Sequence, residues 1–291
     1  MTGATGAGSA PPAAYALGVE YDGGAYSGWQ RQRNAPSVQE ELENALSRVA
    51  ARPVRTVAAG RTDAGVHATK QVVSFGTSAR RPLKAWRDGV NTVVGQGIKV
   101  RWAREVDAEF HARYSAAARR YIYLFRMDPV PSPLSDPFAW RVSSLGTDAM
   151  HQAGQCLVGE HDFTSFRAAG CQSRSRHRNV YRLAVRTIGD LAVLDIEANA
   201  FLLHMVRNIA GSLVQVGDGR RPQGWVGECL RALDRRPVGK TAPANGLYLV
   251  DVAYPGYDFP AGRLPPLLSG LESLDRLQCP AASSAPGPGQ P

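Results

Sequence analysis

Apolar side chains alternate with their neighbours at Tyr15, Leu17, Val19 and Tyr21, the period-two pattern of a strand, and Asp22-Gly23-Gly24 follows as a turn. The period then changes. Val38, Leu42, Leu46 and Val49 recur on one helical face, and Ser37 with Glu40 fits a capping box at its start. The same reasoning predicts strands over 54–59, 71–75 and 98–106, with a helix over 82–94 before the last of them. The second half predicts a strand over 121–126 and a helix over 148–157. A hairpin of 180–186 with 191–198 turns across Gly189-Asp190. Helices over 202–216 and 222–233 precede a last strand over 247–254.

Each half therefore reads as antiparallel strands with interspersed helices, which predicts an α+β protein of two lobes with a cleft between them as the default site. The lobes are expected over 14–110 and 111–258, joined near 108–118. Residues 1–13 and 259–291 are rich in small residues, Pro, Gly and Ser. The first dozen residues and the stretch from about Cys279 offer too little apolar surface to offset ordering entropy, so both ends are expected to be loose.

Composition adds charge to this outline. The 291 residues carry 34 Lys plus Arg against 25 Asp plus Glu, a formal charge of +9, while a hydrophobic content of 44% suffices for a sizeable core. Lys70, Lys84, Lys99 and Lys240 are the only lysines, so the surplus is arginine. Arginine suits phosphates and base edges, although a GC-rich genome also produces this bias. The N-terminus lacks the pattern of a signal peptide, and the most apolar stretch, 201–216, is interrupted by His204, Arg207 and Asn208, so no membrane span is expected. Cys156, Cys171, Cys229 and Cys279 lie too far apart for a zinc motif and read as reduced thiols of a cytoplasmic protein.

Three segments concentrate candidate chemistry. In Gly60-Arg61-Thr62-Asp63-Ala64-Gly65-Val66-His67-Ala68, small residues flank a carboxylate that follows a β-branched run. Such a loop displays a nucleophile close to backbone, with Arg61 at hand to keep it ionised. An ordinary Asp turn, or metal ligation by Asp63 with His67, are the alternatives, and no third ligand is evident. Phe110-His111-Ala112-Arg113-Tyr114 and Arg119-Arg120-Tyr121-Ile122-Tyr123 interleave arginine with aromatics, as stacking on exposed bases requires. Tyr121 and Tyr123 share one side of a strand, so at least one is expected in the core. Residues 164–188 contain no acidic side chain but carry Arg167, Arg174, Arg176, Arg178, Arg182 and Arg186, which favours an external polyanion. Arg207, inside an apolar helical pattern, needs a carboxylate if it is buried, and Asp63 is the expected partner.

Together these residues resemble the TruA-type tRNA pseudouridine synthases. The resemblance runs from about Tyr15 to Tyr254 and includes the 60–68 motif, 110–114, 118–123, Asp162-Phe163-Thr164-Ser165-Phe166, 171–175, 198–201, His204-Met205-Val206-Arg207-Asn208 and 246–250. It implies a two-lobed pseudouridine synthase fold that isomerises uridine at positions 38, 39 and 40 of the tRNA anticodon stem-loop, as a homodimer, without metal or organic cofactor. Asp63 matches the catalytic aspartate and Arg207 the basic residue paired with it. Arg61 matches the arginine that helps flip the nucleotide, and Tyr121 the tyrosine packed on the flipped uracil. Phe110, His111, Ala112, Arg113 and Tyr114, with Cys171, Gln172, Ser173, Arg174 and Ser175, match segments that touch tRNA. Attack of Asp63 on ribose C1′ and deprotonation at C2′ both remain open. The Pro129 to Pro137 stretch, with four prolines, inherits no role from the family.

Overall fold

A computed structural model describes residues 12–269. The elements follow in chain order as β1 (Ala13–Tyr21), α1 (Val38–Ala50), β2 (Val57–Ala58), β3 (His67–Thr77), α2 (Val90–Val93), β4 (Ile98–Val106), β5 (Ala118–Met127) and β6 (Trp140–Val142). Then come α3 (Thr147–Gly154), β7 (Gly159–Asp162), β8 (His177–Ile188), β9 (Leu191–Ala198), α4 (Met205–Gly217), α5 (Trp225–Ala232) and β10 (Leu247–Ala253). The strands form one sheet in the order β4-β1-β3-β10-β5-β9-β8-β7, with β2 beside β3 and β6 beside β5.

The protein is α+β with helices flanking this sheet, and the two halves of the chain share it. β10, the last strand, lies between β3 of the first half and β5 of the second, parallel to β3 and antiparallel to β5. The β3–β10 ladder is short, pairing Tyr248 with His67 and Leu249 with Ala68. Immediately before this seam comes the 60–66 loop. Topology therefore carries the densest motif of the sequence to the middle of the sheet.

Local signals account for several elements. Ser37 caps α1 by accepting from the Glu40 N–H at 3.4 Å, and Val38, Leu42, Ala45 and Leu46 form its buried face. The strand expected over 54–59 contracts to β2 because side chains of α1 take its backbone donors. Val54 N–H donates to Ser47 Oγ at 3.0 Å and Thr56 N–H to Glu43 Oε1 at 2.9 Å. The helix expected over 82–94 opens as a wide π-type turn, Ala85–Gly89, where Trp86 packs against Tyr15 and Phe75.

β5 is buried on both faces. Tyr121, Tyr123 and Phe125 join the large core shared with the helices, while Ile122 and Leu124 join a smaller cluster with Leu191, Val193, Tyr248 and Val250. A strand buried on both sides needs a second cover. Residues 259–269, the first part of the C-terminal tail, contribute to it: Leu268 is fully buried in the smaller cluster, and Thr69 Oγ1 donates to Arg263 O at 2.5 Å. Phe259 stacks on Trp102. Ala13 likewise belongs to β1. Residues 1–11 and 270–291, with Cys279 and nearly all of the ends expected to be loose, lie outside the described residues.

Candidate active site

The 60–66 loop is tied down on several sides. Gly60 O accepts from Gln71 Nε2 at 2.7 Å, Thr62 Oγ1 meets the Tyr21 hydroxyl at 2.8 Å, and Thr62 O accepts from the Trp29 N–H at 3.0 Å. A turn brings Val66 N–H to Asp63 O at 3.2 Å, and Gly65 takes the left-handed φ of 79° that the turn requires. Ala59 O receives Arg119 Nη2 at 3.0 Å. Asp63 thus projects from a backbone whose neighbours leave it little freedom.

Arg207 reaches Asp63 from α4, with Nη1 at 3.1 Å from Oδ2. Its own position is set by the 239–242 segment: Arg207 Nε donates to Ala242 O at 2.8 Å, and Ala242 N–H donates to Arg207 O at 3.1 Å. Gly211 permits this approach, since a β-carbon there would collide with Lys240 O. His204 supplies a second contact, with Nε2 at 3.3 Å from the same Oδ2. Asp63 Oδ1 has no partner among the described residues. Asp63 keeps 22% of its side chain exposed, so a ligand can reach it.

Asp63 and His67 do not converge. His67 Nδ1 turns to Asp22 Oδ1 at 3.0 Å and its ring stacks on Tyr248, so the four-residue spacing forms no common metal site.

A cleft of about 810 Å³ opens around Asp63 and gathers Arg61, Arg113, Arg119, Tyr121, Cys171, Gln172, Ser173, Arg178, Phe201, His204 and Arg207. Tyr121 is almost buried and meets Phe201 edge to face at 5.1 Å. Burial above all, with the charge of Asp63 adding to it, raises the Tyr121 phenol above its ordinary value. Arg61 is exposed and makes no ion pair among the described residues.

The two outer segments divide. Arg113 lines the cleft, and Tyr114, 77% exposed, stacks on His111 at 4.3 Å with the Arg113 guanidinium 5.6 Å above its ring. Phe110 and Ala112 are buried. Phe110 packs among Tyr254, Tyr257 and Phe259, and Ala112 N–H bonds Ser74 Oγ, so both side chains support the loop that carries Arg113 and Tyr114. In 171–175, Cys171, Gln172 and Ser173 line the cleft, whereas Arg174 and Ser175 lie exposed outside its lining.

Two cleft residues have a larger part than the sequence reading assigned. Arg119, nearly buried, donates to the carbonyls of Ala59, Arg113, Ala116 and Asn199 and has no acidic partner among the described residues. Desolvation lowers its pKa from the ordinary value. His204 was legible only as a polar break in an apolar run, because the expected helix over 202–216 hid the fact that α4 begins at Met205.

Comparison with known proteins agrees with this geometry. The tRNA pseudouridine synthase family matches residues 18–115 and 153–255. A tRNA pseudouridine synthase A of Tolumonas auensis is 55% identical over 254 residues, covering 87% of this chain and 97% of that protein. Those of Aeromonas hydrophila and Pseudomonas aeruginosa are 56% and 52% identical, covering 82% and 89% of this chain and 90% and 92% of their own. No helix among the described residues is long and apolar enough to cross a membrane. With the 60–68 motif and Arg207 inside the matched segments, the chain belongs to the tRNA pseudouridine synthase family of isomerases.

Proposed function

We propose that the protein isomerises uridine to pseudouridine at positions 38, 39 and 40 of the anticodon stem-loop of tRNA, with Asp63 as the reacting carboxylate. The observation that carries the reading is an aspartate with one oxygen held and the other open, in a cleft lined by arginine. Cytoplasmic location and a homodimeric state belong to the same proposal and rest on the family resemblance.

The chemistry requires the N1–C1′ bond of uridine to break and a C5–C1′ bond to replace it. A uridine in a stem must first leave the stack, which costs a few kcal/mol and requires a pocket for the base. Arg61, exposed at the cleft and without an ion pair among the described residues, is suited to fill the vacated space. Tyr121 offers a ring face to the extruded uracil, and its raised pKa keeps a negative charge away from the carboxylate. Asp63 Oδ1 can add to C1′ or take the C2′ proton; either route releases uracil within the cleft, where it turns and rejoins through C5. Loss of the C5 proton, matched by a proton gained at N1 and, on the second route, by return of the C2′ proton from Asp63, completes the isomerisation. Arg113, Cys171, Gln172 and Ser173 at the rim, with His111 and Tyr114 beyond it, are placed to meet the RNA around the extruded nucleotide.

Incubation with unmodified tRNA transcripts, followed by carbodiimide treatment and primer extension, tests the reading. Stops are expected at positions 38, 39 and 40 where uridine occurs, and stops confined elsewhere would overturn the site assignment.

A further inference from the structure

We infer that His204 is a positioning residue for Asp63: its imidazole and the Arg207 guanidinium hold one carboxylate oxygen, Oδ2, and so present the other, Oδ1, to the ribose. The inference rests on the proposed role of Asp63 as the reacting group. His204 Nε2 lies 3.3 Å and Arg207 Nη1 3.1 Å from Oδ2. A carboxylate held at one oxygen by a single donor can still swing about its Cβ–Cγ bond. Arg207 donates to Oδ2, and the His204 ring, three residues earlier at the same helix start, packs its Nε2 against the same oxygen and narrows the space for that rotation.

The backbone supports a side-chain purpose at this position. His204 has φ 61° and ψ 6°, in the left-handed region, which residues other than Gly, Asn and Asp enter at a cost. The turn itself is made by backbone groups: Met205 N–H bonds Leu202 O at 3.0 Å, and Asn208 N–H bonds His204 O at 2.8 Å to start α4. Glycine would form that turn without strain. The imidazole provides no helix cap. What it does provide is the contact with Asp63. Arg207 is anchored independently through Ala242 O, so the two contacts are separable by mutation.

His204→Gly removes the ring at a backbone conformation that favours glycine, and His204→Gln places an amide N–H near the position of Nε2. Each is compared with wild type in single-turnover conversion of unmodified tRNA under excess enzyme, with tRNA affinity measured by filter binding. His204→Gly is expected to slow conversion about a hundredfold, the scale of a misplaced reacting group, with unchanged tRNA affinity. His204→Gln should recover most of that loss, and added imidazole should accelerate the glycine variant but not wild type. A glycine variant as fast as wild type would overturn the inference. So would a slow one whose tRNA affinity falls in proportion and which neither glutamine nor imidazole restores. Asp63→Asn in the same assay separates the two levels: a fully active asparagine variant sinks the role of Asp63, whereas an inactive one beside an active His204→Gly sinks only that of His204.

Discussion

Asp63 and Asp195 are both aspartates bound by arginine, and the difference between them lies in how many oxygens the protein uses. Asp195, on β9, is 1% exposed, and Arg120 grips it with both prongs, Nε to Oδ1 at 2.8 Å and Nη2 to Oδ2 at 2.7 Å. Arg182 adds a third contact at 3.2 Å to Oδ2. The pair raises the Arg120 pKa, chiefly through the hydrogen bond. Asp63 receives His204 and Arg207 on Oδ2 alone and keeps Oδ1 for the cleft. A closed carboxylate joins strands, while a half-open one has a lone pair left for substrate.

Asparagine at each position breaks the comparison in opposite ways. Asp63→Asn should lower pseudouridine formation about 10⁴-fold or more, as loss of a nucleophile does, while the melting temperature stays near wild type. Its check is primer extension beside a thermal melt, and wild-type turnover would remove Asp63 from the chemistry. Asp195→Asn should instead cost about 3 kcal/mol of stability, since an amide turns N–H groups toward an arginine left uncompensated. Denaturant unfolding measures that loss, and the folded fraction at low temperature should modify tRNA at close to the normal rate. Arg119→Met tests a third arrangement, a cation satisfied by carbonyls only. It should destabilise by about 2 to 3 kcal/mol through orphaned carbonyls and also slow catalysis, because Ala59 and Arg113 flank the cleft.

How far these sites were legible beforehand follows from range along the chain. The Asp63 motif is contiguous, and Arg207 in an apolar helix calls for a carboxylate, so that partnership could be read from residue types. The cap and period of α1 are likewise local. The insertion of β10 between β3 and β5 could not be read, because the pairing of Tyr248 with His67 spans most of the chain and leaves no periodic trace. His204 was hidden because Leu202 and Leu203 prolong the apolar pattern and no Ser, Thr, Asp or Asn marks the helix start. Composition gave no sign of how 259–269 is held, where what orders the chain is the need of β5 and β10 for a cover on their second face. Arg235 likewise gives no local signal, yet it binds Asn208 Oδ1 and Thr241 Oγ1 behind α4.

Smaller effects sharpen the same contrast. Arg61→Ala removes a side chain with no hydrogen bond or ion pair among the described residues, so stability should not change, whereas single-turnover conversion should slow by about ten- to a hundredfold through poorer placement of the nucleotide, with tRNA affinity close to wild type. A variant with unchanged single-turnover rate would take Arg61 out of base flipping.

Alkaline pH produces the mildest effect over the working range and has a definite sign. Burial raises the phenols of Tyr21, to about 12, and of Tyr121 above their ordinary value. A phenol whose pKa is higher folded than unfolded stabilises the fold fully below the unfolded value near 10, and this contribution is lost as pH climbs through the folded value. Stability of the loop side should therefore be insensitive to these groups from neutrality to about pH 9 and fall between about 10 and 12, as Tyr21 gives up the proton it shares with Thr62. Replacing Tyr21 with Phe removes its share of the titration while keeping the ring, and should lessen the fall between about 10 and 12 in denaturant melts, the buried phenols of Tyr121, Tyr123, Tyr248 and Tyr254 keeping the remainder. The Asp195 cluster holds no phenol, so Asp195→Asn should shift the whole curve downward without altering its alkaline shape. A variant that changed the shape would show that the closed carboxylate and the half-open one are coupled through the sheet.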